Sequence, residues 1–388
     1  MKEGWQQKIL GEVCEVVNGG TPKTSVADYW AGDHLWITPA EMGKRSSPYM
    51  SQTERKLTDL GLGDSSARLL PPLSVILSSR APIGHLVINT EAMATNQGCK
   101  GLVLGKSLDY KFLFYYLGSI VGLLNDLGTG ATFKELSGAK LKEVPVPVPP
   151  LPEQKRIVAI LDEAFEGISA AVANAEKNLA NARELFDSYL NSVFTRRGEG
   201  WVEKKLGECF RLKSGDGLTS KAMNEGAFPV FGGNGIAGMH NEFNLSGDNV
   251  IVGRVGALCG NARHITEKIW LTDNAFKIVD FRFQFENGFL TYLLNYKNLR
   301  SLARQSAQPV ISNSSLKDLE LNFPEFITEQ QRIVAQLDAL SAEAEHLEAI
   351  YQQKLDNLAE RRQAILQKAF AGELTAQPER ALREAAAA

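Results

Sequence analysis

Two glycine-rich stretches have nearly the spacing of nucleotide-binding loops. Gly233-Asn-Gly-Ile-Ala-Gly238 satisfies the Gly-x-Gly-x-x-Gly pattern, in which glycines bring a pyrophosphate against the N-terminus of a helix opening at the same point. Met239-His-Asn-Glu-Phe-Asn-Leu-Ser-Gly247 follows and does not read as a helix, so a turn-rich loop is expected there. Gly101-Leu-Val-Leu-Gly-Lys-Ser107 imitates a phosphate loop but is one residue short between its glycines, which prevents it from wrapping phosphate in the usual way. Cys14, Cys99, Cys209 and Cys259 form no Cys-x-x-Cys pair, and His34, His85, His240, His264 and His346 show no paired ligand spacing. Neither a disulfide framework nor a metal centre is expected. The sequence holds no Asn-Pro-Pro-Tyr or Asp-Pro-Pro-Tyr motif for adenine amino-methylation and no nuclease-like cluster of carboxylates and lysine. Catalysis is expected to lie on another chain.

With 388 residues, 44% hydrophobic and 8% aromatic, the chain has material for two or three packed domains and is not disordered or fibrous. Its longest apolar stretch, Phe112 to Leu124, is broken by Gly118, Ser119 and Gly122 and falls short of the roughly 20 residues of a membrane span. The opening Met-Lys-Glu-Gly-Trp-Gln-Gln-Lys has no apolar core, so a cytoplasmic location is expected.

The elements that position any site are duplicated. Trp5-Gln-Gln-Lys-Ile-Leu-Gly-Glu12 returns as Trp201-Val-Glu-Lys-Lys-Leu-Gly-Glu208, and Pro152-Glu-Gln-Lys-Arg-Ile-Val-Ala-Ile-Leu-Asp162 returns as Thr328-Glu-Gln-Gln-Arg-Ile-Val-Ala-Gln-Leu-Asp338. Between these anchors the match is loose: Val75-Ile-Leu-Ser-Ser-Arg80 resembles Val250-Ile-Val-Gly-Arg254, which sets Arg80 beside Arg254, and Thr95-Asn-Gln97 resembles Thr272-Asp-Asn274.

Both repeated segments read as long helices. Leu161, Phe165, Ile168, Val172, Ala175, Leu179, Ala182, Phe186, Tyr189 and Val193 alternate steps of three and four, a heptad seam. Leu337, Leu340, Ala344, Leu347, Tyr351, Leu355, Leu358, Ile365 and Ala369 form a less regular seam with Arg362 on or beside it. Pro152 in the first turn and a Thr328/Gln331 capping box predict where the helices begin. Pro145-Val-Pro-Val-Pro-Pro-Leu-Pro152 must be extended and stiff. Short β runs are expected at Ser74 to Leu77, Val250 to Val252 and Phe276 to Val279. Helical patches are expected at Phe112 to Leu124 and Phe289 to Leu302, leading into the loops Gly128-Thr-Gly-Ala-Thr132 and Gln308-Pro-Val-Ile-Ser312.

The order is globule, helix, globule, helix, and neither helix can leave its seam in water, so antiparallel pairing is expected. The fold class is therefore α+β: two mixed α/β globules separated by two long helices in an antiparallel coiled coil, with a pseudo-twofold internal repeat. The expected divisions are 1–151, 152–197, 198–327, 328–376 and a tail, 377–388. A helix of about 43 residues would hold the globules on the order of 65 Å apart. Net charge is −3, but the helical segments hold the acid, and residues 1–151 and 195–327 are slightly basic.

The doubled Glu-Gln-x-Arg-Ile-Val-Ala signature, together with Gln363-Ala-Ile-Leu-Gln-Lys-Ala-Phe-Ala-Gly-Glu-Leu-Thr375, resembles the specificity subunit of type I restriction-modification enzymes. Gly19-Gly-Thr-Pro22, Tyr29-Trp30 and Trp36-Ile-Thr38 are similar to the start of that family's target recognition domains, and Val230-Phe-Gly-Gly-Asn-Gly235 to another subtype. The resemblance implies two target recognition domains, each reading one half of a bipartite asymmetric target in double-stranded DNA. It also implies two methyltransferase (modification) subunits carrying S-adenosylmethionine and, through them, restriction subunits driven by ATP, with no cofactor, metal or catalytic residue on this chain.

On that reading, Arg or Lys on loops would address guanine, and Asn or Gln adenine. The candidates are Lys23, Lys44, Arg45, Arg80, Asn96, Gln97 and Lys134 in the first domain, and Lys221, Asn234, Arg254, Arg263, Asn274 and Gln308 in the second. Each could instead be a solvated charge or a side chain stabilising its own loop. Trp36 and Tyr29 are expected in the core. Glu153, Arg156, Glu329 and Arg332, repeated near the helix starts, are candidates for partner docking or simply charge flanking a coiled coil. Two other functions fit parts of the sequence: a self-contained methyltransferase or nuclease with unrecognised motifs, and a coiled-coil adaptor without DNA affinity.

Overall fold

The computed structural model describes residues 2–45, 47–130, 134–195, 198, 200–304 and 308–375. Residues 131–132 of the first predicted loop, the predicted helix end at 196–197 and the tail 377–388 lie outside them. The chain forms two compact units, residues 1–174 with 354–388, and residues 175–353. Each unit therefore contains one globule and part of both long helices.

The first unit holds β1 (Gln6–Ile9), β2 (Cys14–Asn18), β3 (Trp30–Ile37), β4 (Tyr49–Met50), β5 (Arg55–Leu57), β6 (Val75–Ser79), β7 (Ile83–Asn89), β8 (Met93–Thr95), β9 (Cys99–Leu104) and β10 (Pro145–Val148). They pair as a five-stranded sheet β2-β9-β6-β7-β4, a three-stranded sheet β5-β3-β8 and a ribbon β1-β10. The second holds β11 (Trp201–Lys205), β12 (Arg211–Ser214), β13 (Phe228–Gly232), β14 (Gly235–His240), β15 (Asn249–Gly253), β16 (Ala262–Ile265), β17 (Trp270–Leu271), β18 (Ala275–Val279) and β19 (Glu320–Pro324). Their order is β12-β18-β15-β16, β14-β13-β17 and β11-β19. Strand for strand this is the same topology, with parallel pairing of β3 to β8 and of β13 to β17. The first unit adds β4. Loose sequence similarity thus conceals a duplicated fold.

The first half of the proline-rich stretch is extended as β10, with Val146 and Val148 buried and Pro145 and Pro147 interleaved, whereas Leu151 and Pro152, expected to be extended, already belong to the first long helix. Proline is tolerated because this strand pairs on one side only. Gly233 to Gly238, expected as a turn-rich loop, is the tight turn of the β13–β14 hairpin and the start of its second strand, which begins at Gly235. The helical patch after Phe112 divides into Tyr110–Ser119 and Val121–Leu127, while its counterpart is Asn287–Tyr296 followed by a short 3-10 turn, Leu299–Leu302.

The long helices are Leu151–Thr195 and Ile327–Ala371. The second starts one residue before Thr328, which therefore sits inside the first turn and does not cap it. In the first unit Leu161, Phe165 and Ile168 share a core with Leu366 and Ala369, and Arg362 lies 4.4 Å over the Phe165 ring. The charge on the stripe thus packs as a cation on an aromatic face. In the second unit the Tyr189 hydroxyl donates to Gln336 Oε1 (3.1 Å) and Arg183 Nε to Glu348 (3.0 Å), so one helix descends as the other climbs. Within each unit the helices run antiparallel.

Candidate nucleic-acid interface

In both units three segments meet at one end of the larger sheet: the chain leaving an inner strand, the turn entering its neighbour, and the loop after the helical patch. In the first unit Ser79 N–H donates to Gly98 (2.7 Å), Leu136 N–H donates to Ser79 (2.9 Å), and Arg80 lies opposite Glu135. In the second, Arg254 N–H donates to Asn274 (2.9 Å), Ile311 N–H donates to Arg254 (3.0 Å), and Val255 lies opposite Val310. These bonds fix the register. Ser79 corresponds to Arg254 and Arg80 to Val255, and the left-handed residues Ala81 (φ 52°) and Gly256 (φ 102°) follow in step. The expected match of Arg80 with Arg254 is therefore off by one residue. In extended backbone that is the difference between opposite faces.

In the first unit the structure brings Arg80, Asn96, Gln97 and Lys134 to this end. Arg80 is 3.7 Å from Glu135, both partly exposed. Asn96 is committed to its own turn, donating to Thr21 Oγ1 (2.8 Å) and accepting from Gly98 N–H (2.8 Å). Gln97 and Lys134 are exposed and make no side-chain hydrogen bond or ion pair among the described residues. Lys44 and Arg45 follow the short helix Pro39–Met42 and pair with Glu54 (3.8 Å) and the buried Glu41 (3.4 Å). Lys23 is exposed on a separate turn, where its carbonyl accepts from the Trp30 indole. Trp36 is buried, as expected. Tyr29 is only half-buried, its hydroxyl on Asp64 at 3.1 Å.

In the second unit Arg254, Asn234, Arg263, Asn274 and Gln308 converge, and Lys221 stands apart on a 3-10 turn. Arg254 Nη1 reaches Ser214 Oγ (3.3 Å) and the Asp273 carbonyl (3.2 Å), with its guanidinium 5.5 Å from the Phe276 ring centre. Asn234 Oδ1 accepts from Leu258 N–H (2.9 Å), so it shapes the loop carrying Gly256. Arg263 borders the hairpin turn at Gly235, Asn274 lies next to Asp273, and Gln308 precedes Pro309, whose carbonyl accepts from Gly256 N–H (3.0 Å). The cluster offers planar, fork-shaped donors and amides on turns, the groups that recognise base edges and phosphates.

Lys100, on β9, was absent from the sequence-derived candidates although it lies within the first cluster. It is 5% exposed. Burial, helped by the charge of Arg80 and opposed by Glu135, holds its ammonium below the ordinary lysine pKa. Its only signal in the sequence is a lysine inside an apolar strand run, Cys99 to Leu104.

At the helix starts, Glu153 does not pair with Arg156 as its counterpart does. It binds Lys2 Nζ (2.8 Å) and the Thr375 hydroxyl, tying both ends of the first unit to the helix. Burial alone would raise its pKa, but these partners hold it below the usual carboxylate value. Arg156 is exposed. Glu329 receives two bonds from Arg332 (2.6 and 2.8 Å), which lower its pKa. Between each Glu and Arg lies a residue the sequence reading passed over. Gln154 Nε2 donates to Ser107 and Pro149 carbonyls, and its Oε1 accepts from Asp109 N–H. Gln330 does the same with Gln284, Pro324 and Glu286. Both are fully buried. Its repetition in both Glu-Gln pairs was the available signal.

Among the described residues, no group of three or more His, Cys, Asp or Glu side chains is placed to hold a metal, and no helix is long and apolar enough to cross a membrane. The chain is 32% identical over 227 residues to the type I restriction enzyme MjaIX specificity subunit of Methanocaldococcus jannaschii, a match covering 54% of this chain but only 52% of that protein. It is 29% identical to the EcoprrI specificity subunit of Escherichia coli over 85% of this chain and 86% of the relative. In fold it is similar to a solved chain from work on complex assembly and conformational transition of the type I restriction-modification system, with a TM-score of 0.79 at 20% identity over 96% of this chain and 99% of that one. It is also similar to the HsdS subunit of Thermoanaerobacter tengcongensis, with a TM-score of 0.60 at 21% identity over 96% and 98%. The pattern of the type I restriction modification DNA specificity domain matches residues 2–178 and again residues 198–355, and this doubly matched chain belongs to that family.

Proposed function

We propose that this chain is the DNA sequence-specificity subunit of a type I restriction-modification system, acting in the cytoplasm. Each recognition domain binds one half of a bipartite asymmetric target. Two methyltransferase subunits dock on the chain, with restriction subunits joining through them. The chain is the noncatalytic member: S-adenosylmethionine and ATP belong to the partners. The observation that carries this reading is the pair of modules that share one topology apart from the added β4 and whose side chains differ where three loops converge. The same scaffold with different groups at its rim is what two unlike half-sites call for.

Arg80, Gln97 and Lys134 in the first module, and Arg254, Arg263, Asn274 and Gln308 in the second, are the proposed base-edge and phosphate contacts. Asn96 and Asn234 shape the loops that present them, while Lys23, Lys44, Arg45 and Lys221 contact backbone at the margins. Glu153, Arg156, Glu329 and Arg332 mark the proposed docking faces. A net charge of −3 suits a subunit that discriminates while its partners supply much of the phosphate clamp, so the isolated chain should bind duplex weakly and with strong salt dependence. The test is co-expression with the modification subunit and mapping of methylated adenines. Methylation confined to two short, unlike sequences at fixed spacing is expected. Methylation that is unchanged when this chain is omitted would refute the assignment.

A further inference from the structure

The larger sheet turns at its rim in both modules, but by different routes. β6 passes into β7 through residues 80–82, while β15 passes into β16 through residues 254–261. The longer turn of the second module is tied down from three sides. Leu258 N–H donates to Asn234 Oδ1 (2.9 Å), Gly256 N–H to the Pro309 carbonyl (3.0 Å), and Arg300 Nη1 to the Ala257 carbonyl. Gly260 N–H donates back to Gly253 (2.7 Å). Gly260 is left-handed, and a Cβ there would come within 2.5 Å of the Arg300 nitrogen, so the turn lies directly on the 3-10 turn Leu299–Leu302. A segment held in this way has already given up the conformational freedom that surface loops usually keep.

What the fixed turn displays is apolar. Cys259 is fully buried and anchors it, whereas its larger neighbour Leu258 is 39% exposed. The corresponding turn of the first module presents Ala81 and Pro82, and Ile83 is buried again. A lone exposed leucine is common on a protein surface. This one follows Arg254 in the same turn and hangs its backbone on Asn234, beside the Asn274 and Gln308 segments. Those amide and guanidinium groups suit base edges in the major groove, where the apolar group on display is the thymine methyl.

We propose that Leu258 is a specificity-determining residue of the second half-site, meeting the 5-methyl group of a thymine in the major groove. This deepens the reading of the chain as a DNA-specificity subunit and rests on it. Burying one methyl changes affinity only about fourfold, a gain that ordering a loose loop on binding would consume. The bonds from Asn234, Arg300 and Pro309 order the turn beforehand. An aliphatic wedge between base steps is the habit of minor-groove binders and would respond to truncation of the leucine without responding to loss of the methyl.

The experiment uses the full chain assembled with its modification subunit and a duplex carrying the mapped target. Each thymine of the target is replaced in turn by uracil, the same base without the methyl, and rates of adenine methylation are compared at limiting DNA. With the natural chain, one uracil in the second half-site should lower the rate about four- to tenfold. Leu258→Ala should lower it by a similar factor on thymine-containing duplex and erase the response to that uracil, so that the two losses do not add. Leu258→Met, which keeps an apolar end, should retain the response. Uracil in the first half-site should act equally on all three chains. Should the alanine variant lose the second half-site altogether, as a misfolded module would, Leu258→Gln carries the same comparison. Tolerance of uracil at every thymine of the second half-site, or a truncated leucine that leaves the full response in place, would overturn the methyl contact while the DNA reading stands. Methylation that is unchanged when the chain is omitted would take both down.

Discussion

Two regions of each unit diverged to opposite degrees after duplication. At the helix starts Gln154 and Gln330 make the same three hydrogen bonds, and nearby the Tyr115 and Tyr292 hydroxyls donate to Asp162 (2.6 Å) and Asp338 (2.7 Å). At the rim of the larger sheet, Ser79, Lys100 and Glu135 face Arg254, Phe276 and Val310, with no side chain retained. A buried amide that satisfies three backbone groups cannot change without orphaning all of them. None of these side chains at the sheet end satisfies several backbone groups among the described residues, so serine and lysine in one copy stand where arginine and phenylalanine stand in the other. The helix joint thus acts as fixed scaffold and the sheet end as its variable part.

The sharpest way to break that contrast is to damage both joints. Gln154→Ala and Gln330→Ala should each cost about 2–4 kcal/mol in denaturant unfolding, for three lost bonds and the groups left unpaired. Losses below about 1 kcal/mol, or a large difference between the copies, would remove the claim of an equivalent structural joint. Next, Arg254→Ala should forfeit about 1–3 kcal/mol of discrimination in the second half-site and nothing in the first, as read from methylated sequences.

A smaller, pH-dependent effect tests the cores beneath both sheets. Burial pushes the Cys14 and Cys99 thiols up to about 12 and that of Cys209 to about 11. The unfolded chain ionises near the ordinary thiol value of 9.0, so the folded state binds more protons between these limits. Stability should therefore be full below about pH 9 and decline as pH rises through the folded values. Cys99→Ala should flatten that decline, and an unchanged alkaline slope would show that the thiols stay exposed to solvent. The smallest effect belongs to the surface pair: Glu329→Gln should leave the melting temperature within scatter but weaken co-purification with the modification subunit if the docking face lies there.

The long helices were legible because a buried stripe imposes a period on sequence, and Leu161, Phe165, Ile168, Ala175 and Ala182 are all buried. Trp5 and Trp201 with their Leu-Gly-Glu turns were legible for a related reason. Gly11 and Gly207 lie tightly against Lys142 and Lys317, so little variation is allowed. The strand order was hidden, since each strand is short and its partners lie far along the chain. The rim was misread by one residue because the shared arginine drew the two sequences into line, whereas the backbone bonds of Ser79 and Arg254 align differently. Lys100 escaped because a lysine inside an apolar strand run reads as part of the strand, and the residue at the same register in the second unit is Phe276. Glu153 failed to pair with Arg156 because Lys2 and Thr375, remote in sequence, reach it first.

The central claim is that each module reads its own half of the target. It is tested most directly by replacing residues 5–150 with the corresponding domain of another family member and mapping methylated adenines in the assembled enzyme. The account predicts a new sequence in one half of the target, with the other half unaltered. A change in both halves, or in neither, would contradict it.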